Sequence, residues 1–245
     1  METGKKVVFI KDWILNYVNS MPKKAKSLVI GISGGIDSSV SSTLSAMTGL
    51  KTIAISMPIK QKSFQHDLSL KHQDWLKKNF KNVNGFTIEL DELFNTFEKT
   101  LSNFNNEHGM ANSRARLRMS TLYQVAASNN GIVVGTGNKV EDFGVGFYTK
   151  YGDGGVDISP IADCNKTEVW ELGKELNILK EIIEAPPTDG LWDDGRTDEG
   201  QLGLTYVELE EAMNNENSIN RDKYIKIRNA NLHKMDPIPV CKIPK

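Results

Sequence analysis

The stretch Leu28-Val29-Ile30-Gly31-Ile32-Ser33-Gly34-Gly35-Ile36-Asp37-Ser38-Ser39-Val40-Ser41-Ser42 decides the fold. Leu28 to Ile32 is an apolar, β-branched run of the length of a buried strand. Ser33-Gly34-Gly35 cannot continue that strand, and Asp37-Ser38-Ser39-Val40 opens a helix with Val40, Leu44 and Met47 on one face. A strand, a glycine turn and a helix start in close succession make an anion site. Glycine lets backbone N–H groups approach a phosphate closely, and the first helical turn adds unpaired N–H groups and a partial positive charge. A Walker loop is excluded because no Lys follows the turn, and a dinucleotide fingerprint because Ser33 stands where its second Gly belongs. An ordinary strand-to-helix turn, with Asp37 as a favourable first-turn acid, is the plainer alternative.

Outward from this turn, apolar runs alternate with helical patterns. Val7, Ile10, Ile14, Leu15 and Val18 have helical spacing. Thr52 to Met57 reads as a second strand, Gln65 to Phe80 as a helix, Gly85 to Leu90 as a third strand, and Asn112 to Asn129 as a helix. Leu93, Phe94, Phe97, Leu101 and Phe104 repeat at helical spacing and read as core. Ile132 to Gly135 is a fourth strand. Strands alternating with helices predict an α/β doubly wound parallel sheet, covered by helices on both faces and Rossmann-like in its winding. Such sheets bind ligands at the carboxyl ends of their strands. Two strand ends carry Gly with Ser or Thr, at Ser33-Gly34 and Gly135-Thr136, so these two strands are expected to be neighbours flanking one site.

Beyond Thr136 the chain is less regular. Eight of the twenty glycines fall between Gly131 and Gly155, a density that suggests loops pressed against ligand or backbone. Asn165-Lys166-Thr167-Glu168 and Thr205-Tyr206-Val207-Glu208 read as capping boxes opening helices. Lys166 would then lie in a first helical turn, where a cation opposes the helix dipole, a weak hint of function. Residues 185–203, APPTDGLWDDGRTDEGQLG, are acidic and rich in Gly and Pro and read as a mobile lid. A last helix spans about Asn220 to Leu232, and the tail with its three prolines is expected to be irregular.

Composition sets the outer bounds. Of 245 residues, 39% are apolar and 25% charged, the profile of a soluble globular protein. One domain covering 1–245 is expected. No apolar run approaches the ~18 residues of a membrane span, and Lys11 and Asp12 interrupt the start before a signal core could form. A cytoplasmic protein without membrane partners is expected. Cys164 and Cys241 form no C-x-x-C pair, which argues against a zinc knuckle or disulfide framework. A formal net charge of −1 gives no basic field for nucleic acid.

The loop Ser33-Gly34-Gly35-Ile36-Asp37-Ser38 resembles the pyrophosphate loop of the N-type ATP pyrophosphatases, which cut ATP between the α and β phosphates. An acid beside a polyphosphate needs a bridging cation, and Mg²⁺ is the usual one. Further blocks narrow the resemblance. They are Ala115 to Met119, Gly135-Thr136, Phe147-Tyr148-Thr149-Lys150-Tyr151-Gly152-Asp153-Gly154, Asp157, Lys166 to Val169, Ala185 to Thr188, Thr197-Asp198-Glu199, Leu202 to Tyr206 and His233-Lys234. Together they resemble ammonia-dependent NAD synthetase from near the N-terminus to about residue 234, within the adenine nucleotide alpha hydrolase type of fold.

That resemblance implies an enzyme that converts nicotinic acid adenine dinucleotide (deamido-NAD), ATP and ammonia into NAD, AMP and pyrophosphate through an adenylated carboxylate. It implies that Gly31, Ile32, Ser33, Gly34, Gly35, Ile36, Asp37 and Ser38, with Thr136, Lys166 and Thr188, bind ATP. Arg116, Lys150, Asp157, His233 and Lys234 would bind deamido-NAD, and Asp37 and Glu141 would hold Mg²⁺. A homodimer is implied as well. Two departures stand out. One residue more than usual separates Glu141 from Lys150, and Asp142 follows Glu141, so either carboxylate could serve the metal. Met235 stands where another basic residue usually follows Lys234. Fewer than thirty residues precede the first strand, so no glutaminase segment is expected and ammonia would come free or from a partner. The alternatives are amidation of nicotinate mononucleotide by the same chemistry, a tRNA-modifying pyrophosphatase, and a nucleotide-binding regulator without turnover. Cys164 could be imagined as an amidase nucleophile at a helix start. The chain's four histidines and the lack of a separate glutamine-binding segment argue against it.

Overall fold

The computed structural model describes residues 1–61, 63–188, 190–191 and 196–244. The elements run α1 (Thr3–Ser20), β1 (Ser27–Gly31), α2 (Ile36–Met47), β2 (Lys51–Ser56), α3 (Ser63–Asn79), β3 (Val83–Thr87), α4 (Asp91–Thr100), α5 (Glu107–Ser128) and β4 (Gly131–Val133). A π-helix at Val140–Val145 follows. Then come α6 (Lys166–Glu175), α7 (Lys180–Ile183), α8 (Asp198–Leu202), α9 (Tyr206–Asn214) and α10 (Arg221–Met235). The four strands form one parallel sheet in the order β3-β2-β1-β4. β1 is central: Val29 pairs with Ile53 on one side and Val133 on the other. The strands ending in the two Gly-Ser/Thr turns are therefore neighbours, as expected. Winding runs from β1 to β2 one way and to β4 the other, so the site lies at the point where strand order reverses.

Alternation along β1 builds two cores at once. Leu28 and Ile30 face a layer containing Val7, Ile10 and Ile14 of α1, Val40 and Leu44 of α2, and Val169 and Leu172 of α6. Val29 faces the opposite layer with Ile53, Ile55, Val133 and Phe94. A strand buried on both faces reads as a continuous apolar run, which is why the sequence identified it. Truncating Ile30, fully buried, to Ala would cost roughly 2–5 kcal/mol. A third cluster, with Val140, Val145, Leu204, Tyr206, Leu209 and Tyr224, packs α9 and α10 against the π-helix.

Two expectations are corrected. The third strand starts at Val83, not Gly85, because the ladder to Thr52 begins there, and it ends at Thr87. Leu93 and Phe104 are exposed rather than core. Leu93 lies about 100° round the helix from buried Phe94, and α4 stops at Thr100, so Phe104 falls in a 3₁₀ turn off the stripe. Within the expected lid, 185–203, α8 occupies Asp198–Leu202. Residues 189 and 192–195 of the expected lid lie outside the described residues.

Helix α2 is buried almost all round although it is rich in Ser. Its hydroxyls turn back onto its own carbonyls, Ser39 Oγ to Gly35 O (2.9 Å), Thr43 Oγ1 to Ser39 O (2.7 Å) and Ser45 Oγ to Ser41 O (2.8 Å). Ser42 Oγ lies 3.1 Å from Ser39 O and also meets His72 Nε2 of α3 at 2.9 Å, with His72 fully buried. Burial pushes this imidazole down to about 4, against an ordinary 6.5. The folded state therefore keeps His72 neutral while the unfolded chain takes up a proton, so stability falls as pH drops from about 6.5 to about 4. The contribution lost is ~3 kcal/mol. Denaturant unfolding of His72→Gln should show a shallower loss across that window than the wild type, and identical slopes would remove His72 from the account.

Candidate active site

The loop between β1 and α2 is shaped by serine hydroxyls. Ser33 N donates to Ser38 Oγ (3.2 Å), Gly35 N donates to Ser33 Oγ (3.2 Å), and the Ser33 and Ser38 oxygens lie 3.0 Å apart. Gly34 has φ +89°, a conformation that costs a side-chain-bearing residue dearly. Gly35 precedes the helix and no side chain caps α2, so its first N–H groups are left for a ligand.

Facing this loop is a buried cation. Lys166, the first residue of α6, is 2% exposed. Its ammonium donates to Asp37 Oδ2 (2.6 Å) and Glu141 Oε1 (2.9 Å). Asn138 joins the two acids from below: Nδ2 donates to Asp37 Oδ1 (3.0 Å), while Oδ1 accepts from Val140 N and Glu141 N (both 3.1 Å). Tyr206 closes the other side. Its hydroxyl donates to Glu141 Oε1 (2.6 Å) and lies 3.1 Å from Asp198 Oδ2, and the ammonium sits 4.8 Å from its ring centroid. Local sequence explains the placement. Glu168 Oε2 accepts from Asn165 N (2.8 Å), fixing the start of α6, and Thr205 with Glu208 caps α9 so that Tyr206 is its first residue.

Burial would lower Lys166, but Asp37 and then Glu141 more than reverse that and raise it above the usual lysine range. Burial raises Glu141, yet Lys166 and the Tyr206 hydroxyl outweigh it and hold this carboxyl low. Burial raises Asp37; Lys166 pulls back, Glu141 pushes further up, and the balance is upward. Asp142 also faces the cavity, because the π-turn brings adjacent carboxylates to one side. Burial, then Glu141 and Asp153, push it up to about 8. Asp153 is pushed to about 6, chiefly by burial.

These groups line one cavity of about 420 Å³ at the strand ends. Every residue expected to bind ATP is there: Gly31 to Ser38, Thr136, Lys166 and Thr188, with Glu141 beside them. The other set is not. Arg116, Lys150, Asp157, His233 and Lys234 lie outside the lining of this cavity. Four of them are linked through backbone contacts with the tail of α10. Arg116 Nε donates to Lys150 O (3.3 Å), and Lys150 Nζ to His233 O (2.6 Å). Lys234 Nζ donates to Gly146 O and Tyr148 O (2.7 and 2.9 Å), with burial lowering its pKa. Asp157 accepts from Val133 N (2.7 Å) and Tyr123 OH (3.2 Å), standing in for a ladder partner beside β4. Asn138, Tyr206 and Asp198 were not singled out by the sequence. Tyr206 and Asp198 lay inside quoted blocks, but Asn138 gave no signal beyond following Gly137. Burial pushes the Cys164 thiol up to about 11, which disqualifies it as a nucleophile.

The donor set fits Mg²⁺. Two carboxylates converge on one cation, and Mg²⁺ is bound by one or two carboxylates plus substrate phosphates. No three His, Cys, Asp or Glu side chains among the described residues form a metal cage by themselves.

Comparison with known proteins shows the family. A family model described as NAD synthase matches residues 6–239. The chain belongs to the NAD synthase family. The NH(3)-dependent NAD(+) synthetase of Alkaliphilus oremlandii is 37% identical, with 98% of this chain and 97% of that protein covered. A structure of NMN synthetase from Francisella tularensis superposes with TM-score 0.91 at 31% identity, covering 99% and 100% of the two chains. An NH3-dependent NAD synthetase from Campylobacter jejuni gives TM-score 0.78 at 25% identity, covering 99% and 100%. As a NAD synthase family member the chain is an ATP-using ligase that forms a carbon–nitrogen bond.

Glu141 holds the ammonium and Asp142 does not, so the two acids differ in their contacts and can be separated by substitution. Glu141→Gln should lower turnover on the order of a hundredfold or more, the scale of a lost preorganised electrostatic contact. Asp142→Asn should cost less than about tenfold, since an acid raised to about 8 is already largely neutral at neutral pH. Steady-state rates of the two variants check this; an inactive Asp142→Asn beside an active Glu141→Gln would reassign the metal carboxylate.

Proposed function

We propose that this protein amidates deamido-NAD with ammonia at the expense of ATP, giving NAD, AMP and pyrophosphate. The observation that carries it is the buried Asp37–Lys166–Glu141 cluster facing an uncapped glycine-loop helix start in one cavity. The loop N–H groups hold the β,γ-phosphates. The nicotinate carboxylate attacks the α-phosphorus, the bond to the β-phosphate oxygen breaks, and pyrophosphate leaves. Lys166 supplies positive charge where two anions must approach. Mg²⁺ on Asp37 and Glu141 would neutralise phosphate charge during transfer. Ammonia then adds at the acyl carbon, AMP departs with one former carboxylate oxygen, and a proton is lost.

The same reading includes one domain over 1–245, residues 185–203 as a cover for bound ATP, a homodimer in which Arg116, Lys150, Asp157, His233 and Lys234 meet the dinucleotide, and a cytoplasmic location. Ala185, Pro187 and Thr188 at the cavity rim and Asp198 against Tyr206 support the cover. No helix among the described residues is long and apolar enough to cross a membrane.

The alternative acceptor is nicotinate mononucleotide, for which the likeness to the Francisella NMN synthetase speaks less than the 37–38% identity to NH(3)-dependent NAD(+) synthetases does for deamido-NAD. Pyrophosphate release with ammonium should therefore be measured against deamido-NAD and nicotinate mononucleotide in parallel. Higher kcat/KM with deamido-NAD is expected, no turnover with glutamine in place of ammonium, and AMP rather than ADP as product. Preference for the mononucleotide would move the substrate. ADP as product, or no turnover with either acceptor, would overturn the proposal.

A second outcome concerns Lys166. Lys166→Ala should reduce kcat on the order of tenfold to a thousandfold. An unchanged rate would leave the ammonium a purely structural charge.

A further inference from the structure

We propose that Lys166 is the resident cation of the metal site, so that Mg²⁺ enters only together with ATP and in exchange for the lysine ammonium. This rests on Asp37 and Glu141 being the metal carboxylates. Nζ lies 2.6 Å from Asp37 Oδ2 and 2.9 Å from Glu141 Oε1, so the ammonium already takes one oxygen of each of the two acids that would hold a metal. The ammonium is 2% exposed and seated over the Tyr206 ring, so it is not a side chain that happens to lean inward. The Tyr206 hydroxyl and Asn138 amide fix the two acceptors from opposite sides.

Charge then decides the order of binding. The ammonium cancels one of the two carboxylate charges and occupies the point between them. A free dication arriving there would meet a buried like charge at contact distance, and displacing Lys166 would leave the lysine buried without a partner, which is costly. The described residues supply no third acid to complete a cage. ATP removes both obstacles at once. Its phosphates give the ammonium a new partner, and they contribute oxygen ligands to the metal. Lys166 thus serves as a specificity residue that selects the metal–nucleotide complex over the free ion.

The test needs no turnover. Binding of Mn²⁺ alone to wild type and to Lys166→Met is measured by the loss of the free-ion electron paramagnetic resonance signal. Wild type should leave Mn²⁺ free, and Lys166→Met should bind it with a Kd roughly tenfold or more lower, since one opposing charge is gone. Mn²⁺ binding to wild type as tight as to the variant would overturn the proposal, as would a folded Lys166→Met that binds none. Because that variant could fail to fold, the wild-type Lys166 ammonium is also followed by ¹⁵N-lysine resonance spectroscopy. Its signal should stay put with Mg²⁺ alone and move with Mg²⁺ plus α,β-methylene-ATP, which cannot be cleaved between those phosphates. Movement with Mg²⁺ alone would refute the exchange while keeping the metal role. A signal that moves equally with the nucleotide analogue in the presence and absence of Mg²⁺, with no metal-dependent rise in melting temperature, would overturn exchange and metal role together.

Discussion

The Lys166 ammonium between Asp37 and Glu141 is the contact on which the functional end of the molecule depends. It joins three segments that are far apart in sequence: the first turn of α2, the π-helix after β4 and the start of α6. Through Tyr206 it reaches a fourth, the α8–α9 module. A buried ion cluster is not a cheap source of stability, because desolvation offsets most of the Coulomb gain. Breaking it is expensive, since an unpaired charge is left inside. The cluster is therefore better understood as a constraint on geometry than as glue. Stability comes from the two apolar layers that β1 fills from both faces.

That division explains what the sequence revealed. Periodicity reports burial, so β1, β2 and the main helices were legible to within a few residues, and the neighbouring of β1 and β4 followed from their matching turns. The capping signals at Asn165 and Thr205 were legible because a cap is local chemistry. The π-helix was not, because its apolar residues Val140 and Val145 match no familiar period. Nor was the adjacency of Lys166 to Glu141, a contact across 25 residues that no local pattern encodes. Leu93 and Phe104 misled for related reasons: Leu93 is one residue off the stripe that Phe94 buries, and α4 ends before Phe104 can join it.

The site residues divide the same way. Those on the glycine loop and at strand ends fell into one cavity, because the α/β scaffold itself sends strand ends there. The set expected to hold the acceptor is spread over α5, the turn around Lys150 and the end of α10, where no single element imposes convergence. The Lys234 ammonium is engaged by the Gly146 and Tyr148 carbonyls, a contact at the end of α10 that no motif encodes. Asp142, raised to about 8 by burial and by neighbouring acids, adds polar surface to the cavity with little of the charge that would repel phosphate.

The central claim is that this cavity activates a carboxylate by transferring an adenylyl group to it. Following oxygen tests it most directly. With both carboxylate oxygens of the acceptor labelled as ¹⁸O, single turnover with ATP and ammonium should deliver one label to AMP and one to the new amide, with none in pyrophosphate. Label in orthophosphate, with ADP formed and AMP unlabelled, would place the attack at the γ-phosphate and contradict the account.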